Sequence, residues 1–313
     1  MLNVRMRRFA TAATAIAAVG VVGSVVLPLV PAWPFVLFEH FRFQYVWVGA
    51  LVVGACAALR MRWFDAALIA TLVNACHVLP DLSRSARPIP EHGAAVRVLV
   101  LNVHTSSSAF GDVARLITDT KPDVVGLVEV DARWLAALAP ELATFAQRIE
   151  QSRDDNFGIA LYSHLPMSAT VEQLGSDLPT VIASVDVQGT PLAIVLTHPI
   201  PPVAAELLAS QRAQLVAVAE RARSIEGPVV VMGDFNATPW SQPFREFVAA
   251  SRLCDSRAGF GLQASFPAAS ALLRIPIDHV LVSCAIGVRE REIGRDVGSD
   301  HLPVVVDLVV PRS

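Results

Sequence analysis

Three long apolar runs open the chain, at about 10–30, 45–59 and 63–79. A membrane-crossing helix needs about 20 apolar residues, with about 17 as the lower end. The first run passes that length, and the second reaches it when Phe43 and Gln44 are counted. The third is the weakest, because it carries Asp65, Asn74 and His77. Asp65 falls near one end and His77 near the other, which keeps both from the bilayer centre. Arg5, Arg7 and Arg8 precede the first run as in a signal peptide, but its apolar stretch is longer than a signal core and two more runs follow, so it reads as a retained span. The stretch 81–95, DLSRSARPIPEHGAA, is polar with two prolines and reads as a short linker. Residues 1–80 are therefore expected to form a membrane region of about three transmembrane helices, and residues 96–313 a globular domain.

Beyond the linker the pattern changes period. Short runs of Val, Leu and Ile bounded by polar residues predict buried strands at 97–101, 123–128, 158–162, 180–187, 192–196, 228–232, 277–282 and 303–309. Helical spacing predicts helices over 111–120, 131–138 and 204–223, and a short one from Ser241 to about Ser251 with Pro243 in its first turn. Mixed strands and helices with several buried strands predict an α/β fold in which two sheets pack face to face.

Charge divides the chain at the same place. Residues 1–90 hold eight arginines against Glu39, Asp65 and Asp81, whereas residues 91–313 hold 17 basic against 25 acidic residues. A domain that grips nucleic acid without sequence preference usually carries a basic footprint, so this balance weighs against a duplex-DNA substrate. Cationic residues mark the cytoplasmic side of a membrane. Arg5, Arg7 and Arg8 precede the first span, and Arg60 and Arg62 separate the second from the third. The intervening loop carries Trp33, Phe35, Phe38 and Phe41, which suit an interface. Three spans put the N-terminus inside and the domain outside; two would leave the domain inside. Cys56 and Cys76 lie in the apolar runs, and no cysteine spacing suggests zinc. Cys254 and Cys284 are available to pair if the domain lies outside the cytoplasm.

Polar residues of catalytic type end several of the expected strands. Asp234 and Asn236 follow an apolar strand, and residues two apart on a strand face the same side. Glu129 ends another strand and is a reasonable ligand for a hard cation. Asp278 opens a strand, His198 closes one, and Asp300 beside His301 joins a carboxylate to an imidazole, a combination suited to metal binding and proton transfer. Taken singly, each also reads as a polar turn at a strand end.

Their order along the chain resembles the endonuclease/exonuclease/phosphatase superfamily, which includes deoxyribonuclease I, abasic-site endonucleases, inositol polyphosphate 5-phosphatases and neutral sphingomyelinases. The matching stretches are VLVLN at 98–102, PDVVGLVE at 122–129, THP at 197–199, GDFNATP at 233–239, IDHV at 277–280 and GSDHLP at 298–303. The run ATPWS at 237–241 further resembles a bacterial membrane-anchored branch that includes proteins linked to glycopeptide resistance. The resemblance implies a four-layer α/β sandwich, two sheets between helices, with the site where strand-end loops converge. It implies that Glu129 holds Mg²⁺ or Mn²⁺ with help from Asn102 and Asp300, and that Asp234 orients or deprotonates the attacking water, which Asn236 positions. His301, oriented by Asp278, would contact the scissile phosphate, and His198 would be a second phosphate contact or acid. Two departures stand out: His104 where some nucleases carry an acid, and Val128 where many relatives carry Gln. No obvious equivalent of the active-site Tyr of some DNA-repair members is present, although Asn156 stands in a suggestive place.

The expectation is thus a multi-pass cell-membrane protein with an extracytoplasmic, divalent-metal-dependent phosphoesterase domain. The anchor and the acidic domain favour a lipid-linked phosphate over nucleic acid as substrate, and no protein partner is implied. The alternatives are an anchored nuclease and a non-catalytic scaffold.

Overall fold

The computed structural model describes residues 4–312. Its first three helices are α1 (Val4–Val26), α2 (Arg42–Leu59) and α3 (Phe64–Ser83). With the 3₁₀ turns that adjoin them, the helical segments Val4–Leu29, Phe35–Leu59 and Phe64–Ser83 are each long and apolar enough to cross a membrane. Ala18, Val21, Val52, Cys56, Ala67 and Ala70 form their common contact, small side chains that let helix backbones approach closely. Asn74, which makes the third run look weak, is what ties the bundle together. Its Nδ2 donates to Ser24 Oγ of α1 at 2.9 Å, and its Oδ1 accepts from Arg42 Nη1 of α2 at 3.3 Å.

The linker is shorter than 81–95 suggests and lies on the domain. Helix α3 runs on to Ser83, and strand β1 already begins at Gly93 (Gly93–Asn102). Arg87 Nη1 donates to the carbonyl of Cys284 at 2.9 Å. The early start of β1 escapes a sequence reading because Gly93, Ala94 and Ala95 are too small to announce alternation, although Ala94 and Val96 are fully buried.

The domain continues with α4 (Phe110–Thr120), β2 (Val124–Val128), α5 (Ala132–Leu142), β3 (Gln147–Gln151), β4 (Ile159–Ser163), β5 (Met167–Gln173), β6 (Pro179–Val187) and β7 (Thr190–Thr197). It ends with α6 (Ala205–Ser224), β8 (Val229–Asp234), α7 (Gln242–Ser251), β9 (Leu253–Asp255), β10 (Asp278–Ser283), β11 (Gly287–Ile293) and β12 (Val304–Pro311). The first sheet has the order β11-β12-β1-β2-β4-β3 and the second β5-β6-β7-β8-β10-β9. The pairs β1/β2 and β7/β8 are parallel, the others antiparallel.

Strand periodicity builds the layers. On β1, Val96, Val98 and Val100 face the second sheet, whose Ile194, Leu196, Val230 and Met232 complete the core between the sheets. Leu99 and Leu101 face the other way, onto Val113, Leu116 and Ile117 of α4 and Trp134 and Leu138 of α5. Leu215 and Val218 of α6 and Phe244 and Phe247 of α7 cover the outer face of the second sheet through Val195, Val229, Val231 and Leu281. The result is the four-layer α/β sandwich that the sequence led us to expect. Strands β3, β5, β9 and β11 were not expected. Except for β9, which has three residues, they carry polar residues such as Arg148, Glu150, Glu172 and Glu290, as edge strands do when they avoid pairing with other chains. Cys254 and Cys284 are joined in a disulfide with Cα atoms 5.2 Å apart.

Candidate active site

The parallel pairing of β1 with β2 and of β7 with β8 brings four chain ends to one edge of the sandwich. Asn102 ends β1, Glu129 follows β2, His198 follows β7, and Asp234 ends β8. Strand β10 runs antiparallel to β8, so its first residue, Asp278, lies directly opposite Asp234. The turn before β12 supplies His301. Gly233, at φ +142°, permits this convergence, since a Cβ there would lie 1.9 Å from the Thr197 carbonyl oxygen.

The side chains form one buried network. His301 Nδ1 donates to Asp278 Oδ2 at 2.8 Å, and His301 Nε2 lies 3.6 Å from Asp234 Oδ2. His198 Nε2 reaches the same oxygen at 3.5 Å. Asn102 Nδ2 donates to Asp234 Oδ2 at 3.1 Å and to Glu129 Oε1 at 2.8 Å, bridging the two carboxylates. Asn236 donates its backbone N–H to Asp234 Oδ1 at 2.8 Å and its amide to the Pro199 carbonyl at 3.0 Å. Asp300 does not join this network: its side chain is 42% exposed and sits on the rim, 3.5 Å from His104 Nδ1. Of the eight residues expected from the sequence, seven are thus brought together and Asp300 borders them.

Three residues in or beside the site, His104, Glu129 and Asn236, have φ of 58°, 62° and 50°, a region that non-glycine residues seldom occupy. Each is held by a local hydrogen bond. His104 N–H donates to Asn102 Oδ1 at 2.9 Å, Asn236 N–H to Asp234, and Thr105 clasps Glu129 by donating its Oγ1–H to the Glu129 carbonyl at 2.8 Å and its N–H to Oε2 at 3.1 Å. Strained backbone held this firmly fixes where a functional group points.

The charges are set by mutual proximity. Burial alone would push the Asp234 carboxyl up, but His301 and His198 more than offset it and hold Asp234 down at about 2. Burial would lower His301, yet Asp278 and Asp234 raise it to about 10, so it is an imidazolium at neutral pH. Asp278 is raised by burial and by the nearby Asp234, against the pull of His301. Asp278 Oδ1 and His198 Nδ1 are buried without a hydrogen-bond partner. Ligand atoms of Asp234, Asp278 and His301 lie within 4.8 Å of one another, but a protonated His301 offers no lone pair, so the oxygens of Asp234 and Asp278 are the cation donors of this group. Glu129 and Asp234 add carboxylate oxygens, and Asn102 Oδ1, which accepts the His104 N–H, keeps a second lone pair, a donor set that fits Mg²⁺ or Mn²⁺.

Several supporting residues escaped the sequence reading. Phe266 packs its ring 4.7 Å from that of His301, and Phe157 lies 5.2 Å from His198. Gln211 of α6 holds the Asn236 carbonyl at 2.9 Å. Three come from the N-terminal helical segment or face it. Glu39 Oε2 accepts from the Gln242 N–H at the start of α7 at 2.8 Å, His40 Nδ1 lies 3.4 Å from the Thr238 N–H, and Trp240 Nε1 donates to the His40 carbonyl at 3.2 Å. Only the aromatic loop 31–42 hinted at them, and it gave no partner.

Two mixed sheets between helices, with polar strand ends meeting at one edge, define the deoxyribonuclease I-like class of α/β sandwich. The chain belongs to the endonuclease/exonuclease/phosphatase family: the profile described as Endonuclease/Exonuclease/phosphatase family matches residues 99–301. Members of this family hydrolyse phosphoester bonds and generally depend on divalent metals. No curated protein sequence matches the chain. Among solved structures, an endonuclease/exonuclease/phosphatase from Beutenbergia cavernae is similar at 24% identity, over 70% of this chain and 72% of that one, with a TM-score of 0.55. D. rerio TDP2 in complex with a single-strand DNA product is similar at 17% identity, over 68% and 98%, TM-score 0.55. A Bacteroides thetaiotaomicron mannosyl-6-phosphatase is similar at 20% identity, over 68% and 99%, TM-score 0.54. These likenesses show the fold; the family rests on the profile match, and neither assigns a branch within it.

Proposed function

We propose that this protein is a membrane-anchored, divalent-metal-dependent phosphoesterase that acts on a lipid-linked or other envelope phosphate at the Asp234–His301 site. The observation that carries the reading is the meeting of Asn102, Glu129, Asp234, Asp278 and His301, from five separate stretches of chain, in one buried network. A Mg²⁺ or Mn²⁺ ion held by Glu129 and Asn102, with Asp300 on the rim beside them, would neutralise charge on the phosphoryl oxygens. His301, kept protonated by Asp278 and Asp234, donates through Nε2 to a phosphoryl oxygen. Asp234, kept ionised, accepts a hydrogen bond from the attacking water and takes its proton as the new P–O bond forms in line with the breaking ester bond. Asn236 positions that water, and His198 is a second phosphate contact or the acid that gives the leaving ester oxygen its proton.

The contacts of Glu39 and His40 with residues 238–242 support a topology in which the loop between the first two spans lies on the same side as the domain, as three membrane crossings require. The arginines at 5, 7, 8, 60 and 62 then fall on the other side, the cytoplasmic one by the positive-inside rule. The Cys254–Cys284 disulfide suits a domain in an oxidising compartment. The anchor and the acidic domain favour a lipid-borne phosphate over nucleic acid.

The test uses the full chain in nanodiscs with Mn²⁺, offered undecaprenyl pyrophosphate, phosphatidic acid and plasmid DNA side by side. Phosphate release from a lipid, absent in Asp234→Ala and His301→Ala, is the expected result. DNA nicking lost in the same variants would make the protein an anchored nuclease, and turnover of nothing would favour a scaffold.

A further inference from the structure

An eight-residue loop, Pro267–Arg274, connects the site to the membrane region. Its base is closed by the isolated bridge between Phe266 and Ile275, and Arg274 folds its guanidinium back onto the carbonyls of Pro267 and Ala268. At that base the loop is a wall of the site. Phe266 stacks near His301, Ala268 N–H donates to the Asp300 carbonyl at 2.7 Å, and Leu302 N–H donates to the Ser265 carbonyl at 2.9 Å. At its far end the loop meets the first turn of α2, where Gln44 Nε2 donates to the carbonyls of Leu272 and Arg274 at 3.3 and 3.0 Å.

The tip is unusual for a surface loop. Residues 267–273 (PAASALL) carry no charge, and Leu272 and Leu273 are 87% and 56% exposed. Gln44 sits at the polar end of a helix otherwise apolar to Leu59, the level at which a span enters the headgroups. Two exposed leucines held beside that level, tied to α2 through Gln44, have the bilayer surface as their natural occupant.

We propose that Pro267–Arg274 is a lipid-facing lip. Leu272 and Leu273 enter the leaflet that α1–α3 cross, and the site takes phosphate groups borne on amphiphiles from that leaflet. The second half rests on the hydrolytic reading above; insertion of the tip does not.

Insertion is read first. A Leu272→Cys variant in a Cys76→Ser background, labelled with an environment-sensitive nitrobenzoxadiazole and placed in phosphatidylcholine/phosphatidylglycerol nanodiscs, should emit blue-shifted light quenched by shallow doxyl lipids. The same label at Arg148→Cys, on exposed β3, should not be quenched. Water-like, unquenched emission at 272 would overturn the lip. The substrate half is read from the ratio of hydrolysis rates for long-chain phosphatidic acid in nanodiscs and short-chain phosphatidic acid in solution. Leu272→Glu/Leu273→Glu should lower that ratio by about tenfold. An unchanged ratio, or a wild-type protein that hydrolyses neither lipid, would overturn the substrate half, while the quenching still decides insertion.

Discussion

Two buried ionic clusters bring residues of both sheets together, and they are built on opposite terms. One is Asp255 with Arg257 and Arg291. Arg257 grips Asp255 Oδ2 through Nη2 at 2.6 Å and Nε at 3.0 Å, and Arg291 bonds Ser256 Oγ at 3.1 Å and Gln263 Oε1 at 2.8 Å. Cations outnumber the acid, and none of these three side chains is left with an orphaned buried atom. The other cluster holds Asp234, Asp278 and the adjoining Glu129 against one imidazolium, His301, and leaves Asp278 Oδ1 and His198 Nδ1 unpaired. A closed cluster of this kind contributes to the fold; one with excess negative charge and unsatisfied buried atoms is of the kind found at functional sites.

The largest effect should separate the clusters by activity. Asp234→Asn or His301→Gln should lower kcat per folded molecule by on the order of 10³-fold, measured by phosphate release with the folded fraction followed by calorimetry. Arg257→Ala should do the reverse. It removes the guanidinium that hydrogen-bonds the buried Asp255 carboxylate, at a cost of about 3–5 kcal/mol by denaturant unfolding, with turnover per folded molecule kept within a few-fold. Equal loss of activity in Arg257→Ala would erase the distinction.

Smaller effects should appear in the pH dependence of stability. Asp255 is pushed up by burial but held at about 2 chiefly by Arg257. Because its folded value lies below the ordinary 3.8, its contribution is present above that pH and fades as pH falls towards 2. His301 is raised from 6.5 to about 10, so its contribution is complete below 6.5 and is lost as pH rises through 10. His301→Gln should therefore flatten the alkaline arm of the stability profile while leaving the part of the acid arm due to Asp255 in place. An alkaline arm unchanged in His301→Gln would contradict the charge assigned to that ring.

Much of the site was legible in the sequence because it is built on strand ends. An apolar run stops where a polar residue such as Asn102 or Asp234 begins, and parallel pairing then gathers those ends without further instruction. The direction of a single side chain was not legible. Asp300 and His301 are neighbours, and the Ser299 hydroxyl that accepts the His301 N–H at 3.1 Å and donates to the Asn102 carbonyl at 2.7 Å helps to set which of them turns inward. Edge strands such as β3 and β11 pair through backbone and carry little apolar signal. The docking of His40 and Glu39 onto residues 238–242 joins positions about 200 apart in the chain, and contacts at that separation leave no local trace.

A divalent cation at the Glu129–Asn102–Asp234 region is tested by titrating Mn²⁺ into the protein and following free Mn²⁺ by electron paramagnetic resonance. The expected result is a saturable class of bound Mn²⁺ that Glu129→Ala abolishes and Arg257→Ala retains. Absence of binding in the wild type, or binding unchanged in Glu129→Ala, would contradict it.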